Sequence, residues 1–138
     1  MMNKQDELTG TFVLVHPHLM NDPEDRKNQV GIIATAELEN DNVMVSFGKT
    51  GQSLFSADAL LVLRKPADIH FDAMKDHLLL ETQDFKDLLR LAILADSSLT
   101  KNRREAVEMA RFNPTLMEYG MASLENELGL QQDQYMSR

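Results

Sequence analysis

A chain of 138 residues with 43% hydrophobic and 26% charged side chains has apolar material for one compact unit, or for two very small ones sharing a core. Its formal charge of -8 works against general nucleic-acid binding, which needs a cationic surface to neutralise phosphates. The absence of cysteine excludes disulfides, thiolate zinc sites, iron-sulfur clusters and cysteine nucleophiles. No stretch approaches the ~20 apolar residues of a membrane span, so no membrane role is expected. The polar start MMNKQDELTG carries neither a secretory signal nor an Arg-rich transit pattern, which makes the cytoplasm the expected location.

Residues 11–16, TFVLVH, place Phe12, Leu14 and His16 on one side and Val13 and Val15 on the other, the period of a strand. Pro17 removes a backbone donor and ends it. The following loop, HLMNDPEDRKNQ, has the Asp and Pro chemistry of a turn. Its carboxylates Asp22, Glu24 and Asp25 lack the spacing and central glycine of a calcium loop, so a solvated turn is expected. The stretch NQVGIIATAELENDNVMVSF, residues 28–47, reads as a hairpin. Val30, Ile32, Ala34, Ala36 and Leu38 form one alternating apolar set, while Gly31, Ile33, Thr35, Glu37 and Glu39 turn polar toward the end. Asn40, Asp41 and Asn42 tolerate the left-handed backbone of a tight turn, and Val43, Val45 and Phe47 return on one face. Gly31, without a side chain inside a strand, marks a bulge or a close backbone crossing and is taken as structural.

GKTG and QSLFS then suggest a second hairpin. A phosphate-cradling loop would need more glycine, Lys followed by Ser or Thr, and a helix directly after; Lys49-Thr50 is followed instead by Gly51 and a strand pattern. Ser56 to Ala59 looks like one helical turn, and Leu60 to Leu63, stopped by Arg64, Lys65 and Pro66, makes a fifth strand.

Five short strands with a long first loop, two tight hairpins and a helical turn before the last strand resemble the SH3-like small β-barrel over about residues 10–65. QVGIIATAELENDNVMVSF is most similar to the KOW class, with its glycine, apolar strand, polar turn and Val-x-Val strand, and FGKTGQSLFSADALLVL is similar to the end of Tudor-like barrels. The resemblance implies a barrel over residues 1–66 and binding of RNA, ribosome, polymerase or peptide. Tryptophan, the main platform of a Pro-rich peptide groove, is absent. Phe12, Phe47 and Phe55 alternate as core residues do, not as a methyl-lysine cage. The loop that would touch RNA is acidic apart from Arg26 and Lys27.

From Ala67 the period becomes helical, and about four helices are expected over residues 67–138, packed on the barrel to give an α+β fold. Asp68 caps a first helix with Phe71, Met74 and Leu78 as its apolar face. Thr82 caps a second, with Phe85, Leu88, Leu89, Ala92 and Ile93 in a stripe. Thr100 caps a third, with Ala106, Val107 and Ala110 inward. Asn113-Pro114 starts a fourth, whose stripe is Met117, Met121, Leu124 and Leu128 and whose C-cap is Gly129. Residues 131–138 have no packing pattern and are expected to be mobile.

Catalytic, cofactor and metal residues are not assigned. His70 and His77 are about 10 Å apart along a helix, too far for one ion, and Asp72 with Asp76 lacks a third ligand at matching spacing. His16 and His18 lie at a strand end, where a structural role is the simpler reading. No GxSxG, HExxH or paired-carboxylate arrangement is present. The candidate binding residues are the basic ones, Arg26, Lys27, Lys101, Arg104 and Arg111. Glu105 and Glu108 interleave with the last three, and the helix that follows is too apolar for a nucleic-acid reader. The expectation is a non-enzymatic module, without cofactors, that binds a protein partner or itself. The alternative is an RNA- or ribosome-associated factor.

Overall fold

A computed structural model of the chain describes residues 7–20 and 22–128. Six strands, β1 (Phe12–Val15), β2 (Val30–Glu37), β3 (Asn42–Ser46), β4 (Gln52–Phe55), β5 (Leu60–Leu63) and β6 (Met121–Ser123), lie in the order β4-β3-β2-β1-β5-β6. Five α-helices accompany them among the described residues: α1 (Pro66–Lys75), α2 (Thr82–Ala95), α3 (Thr100–Arg111), α4 (Pro114–Gly120) and α5 (Leu124–Leu128). The class is α+β, but the expected five-stranded SH3-like barrel is not formed. The sheet is open, with β4 and β6 at its two ends. The extra strand explains the difference: Gly120 ends α4, Met121 turns extended at φ -130 and ψ 157, and β6 takes the place beside β5 that a closing strand would need.

Residues 7–62 and 123–128 belong to one compact unit and residues 63–122 to a second. In the first, Val13, Val15, Ile33, Val43, Val45 and Leu60 are buried together, with Leu124 of α5 in the same cluster. The alternation of β2 is broken within the strand. Ile33 pairs with Val45 and Thr35 with Met44, which leaves Ala34 as an extra, unpaired residue. Such a bulge exchanges the two faces of a strand. Gly31 and Ile33 therefore point inward before it and Ala36 after it, while Ile32, from the expected apolar set, is exposed. Asp41 adopts the left-handed backbone at φ 55, as the turn reading requires, and its Oδ1 accepts the backbone N–H of Ala57 at 2.8 Å.

Gly31 leaves no room for a side chain between β2 and its neighbours. A Cβ there would meet the Phe47 ring at 2.9 Å and the Ser46 carbonyl at 3.0 Å, and would come closer still to the Val45 methyl. The Phe47 ring occupies the space that a side chain at Gly31 would claim.

In the helical unit α1 packs on α2 and α4, α2 on α3 and α4, and α3 on α4. Ile69, Ala73, Leu88, Leu91, Val107 and Leu116 are among its buried residues. Ala106, Val107 and Ala110 face inward as the pattern predicts. Asn113 caps α4, its side chain accepting from the N–H of Thr115 at 2.9 Å and of Leu116 at 3.3 Å, with Pro114 in the first turn. Asp68 and Thr100 do not cap: α1 opens with Pro66, and α3 follows Leu99 without a side-chain cap. The expected fourth helix is in fact α4, β6 and α5 in succession, because glycine at position 120 favours a stop and the residues after it are extended. The expected cap at Gly129 and the tail 131–138 lie outside the described residues.

Arg64 ties this unit together. Its N–H donates to the Gly120 carbonyl at 2.9 Å, its Nη1 to the Tyr119 carbonyl at 2.8 Å, and its Nη2 pairs with Asp72 at 2.8 Å. The Tyr119 hydroxyl donates to Asp76 at 2.8 Å, and this hydrogen bond to a carboxylate holds the phenol above its ordinary pKa.

Replacing Gly31 by valine forces Val45 or Phe47 out of place and should cost about 1–3 kcal/mol, the usual penalty of overpacking. Chemical denaturation of the full chain measures it, and an unchanged midpoint would contradict the close approach.

Candidate functional site

Two surfaces stand out, one in each unit. In the first, the loop segment from Asp22 to Gln29 is held by its own carboxylate. Asp22 accepts the backbone N–H of Arg26 at 2.8 Å and of Lys27 at 2.9 Å. The Arg26 bond is the main reason that its pKa lies below the ordinary aspartate value, and the N–H of Lys27 and the nearby positive charges add to it. Arg26 then reaches across to the β3–β4 hairpin. Its Nη2 donates to the Thr50 carbonyl at 2.6 Å, Nη1 to the Thr50 hydroxyl at 2.9 Å and to Gln29 at 3.4 Å, and Nε to the Ser53 hydroxyl at 3.2 Å. The guanidinium lies 4.4 Å from the centre of the Phe47 ring, a cation–π distance. The Ser53 hydroxyl donates to Glu24.

Between this loop and β4 is an open hollow of about 320 Å³, lined by Pro23, Glu24, Met44 and all four residues of β4. That volume is at the lower end of the range of ligand pockets. Phe55 lies edge-on to Phe47, with ring centres 6.1 Å apart.

The second surface is apolar. Phe71, Met74, Leu78 and Leu79 are 65%, 47%, 86% and 83% exposed. The first three are the face expected to be buried. Instead α1 turns Ile69 and Ala73 inward, since a helix of ten residues with two apolar faces can bury one of them against α2 and α4. Leu78 and Leu79 fall after α1 has ended, in a turn held by the Leu79 N–H donating to the Asp76 carbonyl at 2.8 Å. Nearby, α1 and α2 border a groove of about 520 Å³ lined by Ala67, His70, Leu89 and Ile93, among others. Ile93 is another member of an expected core stripe that is exposed; Leu91 is buried in its place.

The basic candidates divide between the units. Arg26 is mostly enclosed, with its side chain 11% exposed, and its hydrogen-bond donors are largely taken up. Lys27 is paired with Asp25 at 3.2 Å. Lys101, Arg104 and Arg111 are all on α3. Arg111 pairs with Glu108 at 3.3 Å and lies 4.8 Å from the centre of the Phe112 ring, whereas Lys101 and Arg104 are exposed and have no ion-pair partner among the described residues. His70 lines the groove, while the His77 ring is 6.0 Å from that of Phe85. Among the described residues no three His, Asp or Glu side chains are grouped so that they could hold a metal ion, and no helix is long and apolar enough to cross a membrane.

Alternation could not have revealed the Arg26 clamp, because its partners Thr50 and Ser53 are 24 and 27 residues away in the chain. The exposed apolar face did have a signal: Ile69 and Ala73, at i and i+4, offer α1 a second apolar face.

Asp22 holds its loop as a carboxylate. Because its folded pKa is depressed, the contribution is complete above the ordinary aspartate range and disappears as pH falls through the lowered value. The amides of Arg26 and Lys27 should therefore exchange faster below that point, and Asp22→Asn should remove this pH step. An identical acid response in Asp22→Asn, followed by amide exchange, would assign the step to another group. No family model, curated protein or solved structure matches this chain.

Proposed function

We propose that this protein is a non-enzymatic interaction module that binds a protein partner or a second copy of itself through the apolar surface of its helical unit. The observation that carries the reading is the exposure of Phe71, Met74, Leu78 and Leu79 within nine residues of chain. Single exposed apolar residues are ordinary, but several large ones grouped along one helix and its following turn mark a contact surface. The groove at Ala67, Leu89 and Ile93 adds apolar ground in the same unit. Phenylalanine and methionine are also the side chains enriched where protein partners meet, and the thioether adapts to varied shapes.

The RNA reading has less support. Of its five basic residues, Arg26 is engaged by Thr50, Ser53 and Phe47, while Lys27 and Arg111 face carboxylates. Lys101 and Arg104 remain, on a helix that also carries Glu105 and Glu108. Two free cations supply little of the phosphate neutralisation on which nonspecific RNA affinity rests.

The test is affinity capture of the full chain from its native cell, with and without nuclease, beside a double variant Phe71→Ser, Leu78→Ser. Both positions are exposed, so the variant should fold with little change in stability. A partner, or a second copy in sedimentation, should survive nuclease and be lost in the variant. Retention that nuclease abolishes, or that Arg104→Glu abolishes while the apolar variant does not, would favour RNA instead.

A further inference from the structure

The hollow beside β4 has an uncommon lining. Successive side chains of a strand point to opposite faces, yet Gln52, Ser53, Leu54 and Phe55 all border it. A space that touches four consecutive residues lies along the edge of the strand, where the backbone is presented. The register tells which backbone groups these are. The Phe47 N–H donates to the Gly51 carbonyl at 2.8 Å, which makes that pair a hydrogen-bonded one. At two-residue steps Val45–Ser53 and Val43–Phe55 are of the same kind. Ser53 and Phe55 thus turn their backbone groups to β3. Gln52 and Leu54, opposite Ser46 and Met44, turn theirs away from the sheet, and among the described residues neither N–H meets a backbone acceptor there.

Proteins usually blunt such an edge with lysine, proline or a bulge. The sequence QSLF has neither lysine nor proline, and its register with β3 is unbroken. Charge selects what the edge would accept. Residues 7–62 carry eight carboxylates against three basic side chains, and two of those three are engaged, Arg26 by the Thr50 carbonyl and Lys27 by Asp25. Glu24, on the wall of the hollow, is 57% exposed. Asp22, Glu24 and Arg26 border the hollow around apolar Met44, Leu54 and Phe55, a rim of one net negative charge within a net acidic unit. That balance favours a segment that alternates apolar and basic side chains, and it opposes a second copy of the same unit.

We propose that the free edge of β4 takes an extended segment of a partner protein, rich in lysine or arginine alternating with apolar residues, as an added antiparallel or parallel strand. Main-chain hydrogen bonds to Gln52 and Leu54 hold it, and an apolar side chain enters the hollow. This goes beyond the apolar surface of α1 and does not depend on it.

The probe is a short synthetic peptide alternating valine and lysine, titrated into the isotope-labelled full chain. Saturable binding should slow amide exchange at Gln52 and Leu54 at least ~tenfold and leave Ser53 and Phe55, already paired, little changed. The same peptide N-methylated at alternate amides loses its donors and should bind at least ~tenfold more weakly. A valine–glutamate peptide should also bind more weakly, and raised salt should narrow that difference. Leu54→Pro removes one outward N–H without breaking the ladder and should mimic N-methylation, whereas the Phe71→Ser, Leu78→Ser variant should bind the peptide normally. Absence of saturable binding, or equal binding of the N-methylated peptide, overturns the proposal. Protection at Gln52 and Leu54 that rises with protein concentration alone also overturns it, by showing a second copy at the edge. Peptide binding without a native partner at α1, or the reverse, separates this proposal from the preceding one.

Discussion

The side chain missing at Gly31 is the constraint on which the sheet unit depends. Because β2 presents only backbone there, Phe47 can lie over it, in the space where a Cβ would come within 2.9 Å of the ring. That ring is in turn the platform for the Arg26 guanidinium and the neighbour of Phe55. Arg26 carries the loop that Asp22 organises, and the loop forms one wall of the hollow beside β4. A void of one methyl group on β2 is transmitted, ring by ring, to the edge of the sheet. Close packing is what makes this possible, since protein interiors leave few gaps larger than a water molecule and neighbours fill what a glycine leaves.

Element types were largely legible in the sequence, and faces were less so. Period-two alternation located β1 to β3, glycine spacing and a short apolar run located β4 and β5, and Asn113-Pro114 marked a helix start that the Asn113 side-chain cap to Thr115 and Leu116 realises. What alternation could not reveal was the extra residue at Ala34. A bulge leaves the apolar pattern looking continuous while it exchanges the faces, so Ile33 and not Ile32 enters the core. The same ambiguity affected α1, where two apolar faces competed and tertiary packing chose Ile69 and Ala73. The barrel expectation failed at a longer range. Met121 to Ser123 lie within a helical periodicity, and their extended pairing beside β5 depends on a strand almost sixty residues earlier, which no local window contains. Of the candidate surfaces, the basic residues were visible as letters, but their engagement by Thr50, Ser53, Asp25 and Glu108 was not.

The charge balance has a similar lesson. In an acidic chain, the few cations are drawn to internal carboxylates, hydroxyls and carbonyls. Arg64 illustrates it in the helical unit, bridging Asp72 and the carbonyls of Tyr119 and Gly120. Ion pairs near the surface contribute little individually, about 0–1 kcal/mol, and the Arg64–Asp72 pair is only half-buried. A guanidinium with several partners fixes geometry more than it adds stability, because its planar fork sets the direction of each bond. Arg26, Lys27, Arg64 and Arg111 therefore act as ties, while Lys101 and Arg104 stay exposed on α3.

The placement of Leu124 bears on how the chain is made. It is 2% exposed and belongs to the same buried cluster as Val13, Val15, Ile33 and Val45, yet sixty residues of the helical unit, 63–122, come before it in the chain. On the ribosome, the strands β1 to β5 emerge well ahead of the residue that completes their core. The sheet unit must then wait, with part of its apolar interior uncovered, while α1 to α4 are synthesised. Helices with mostly local contacts form quickly, so the helical unit can be complete before the sheet that precedes it. The order of synthesis and the order of folding can thus differ for the two units, with apolar interior uncovered in the interval before Leu124 arrives.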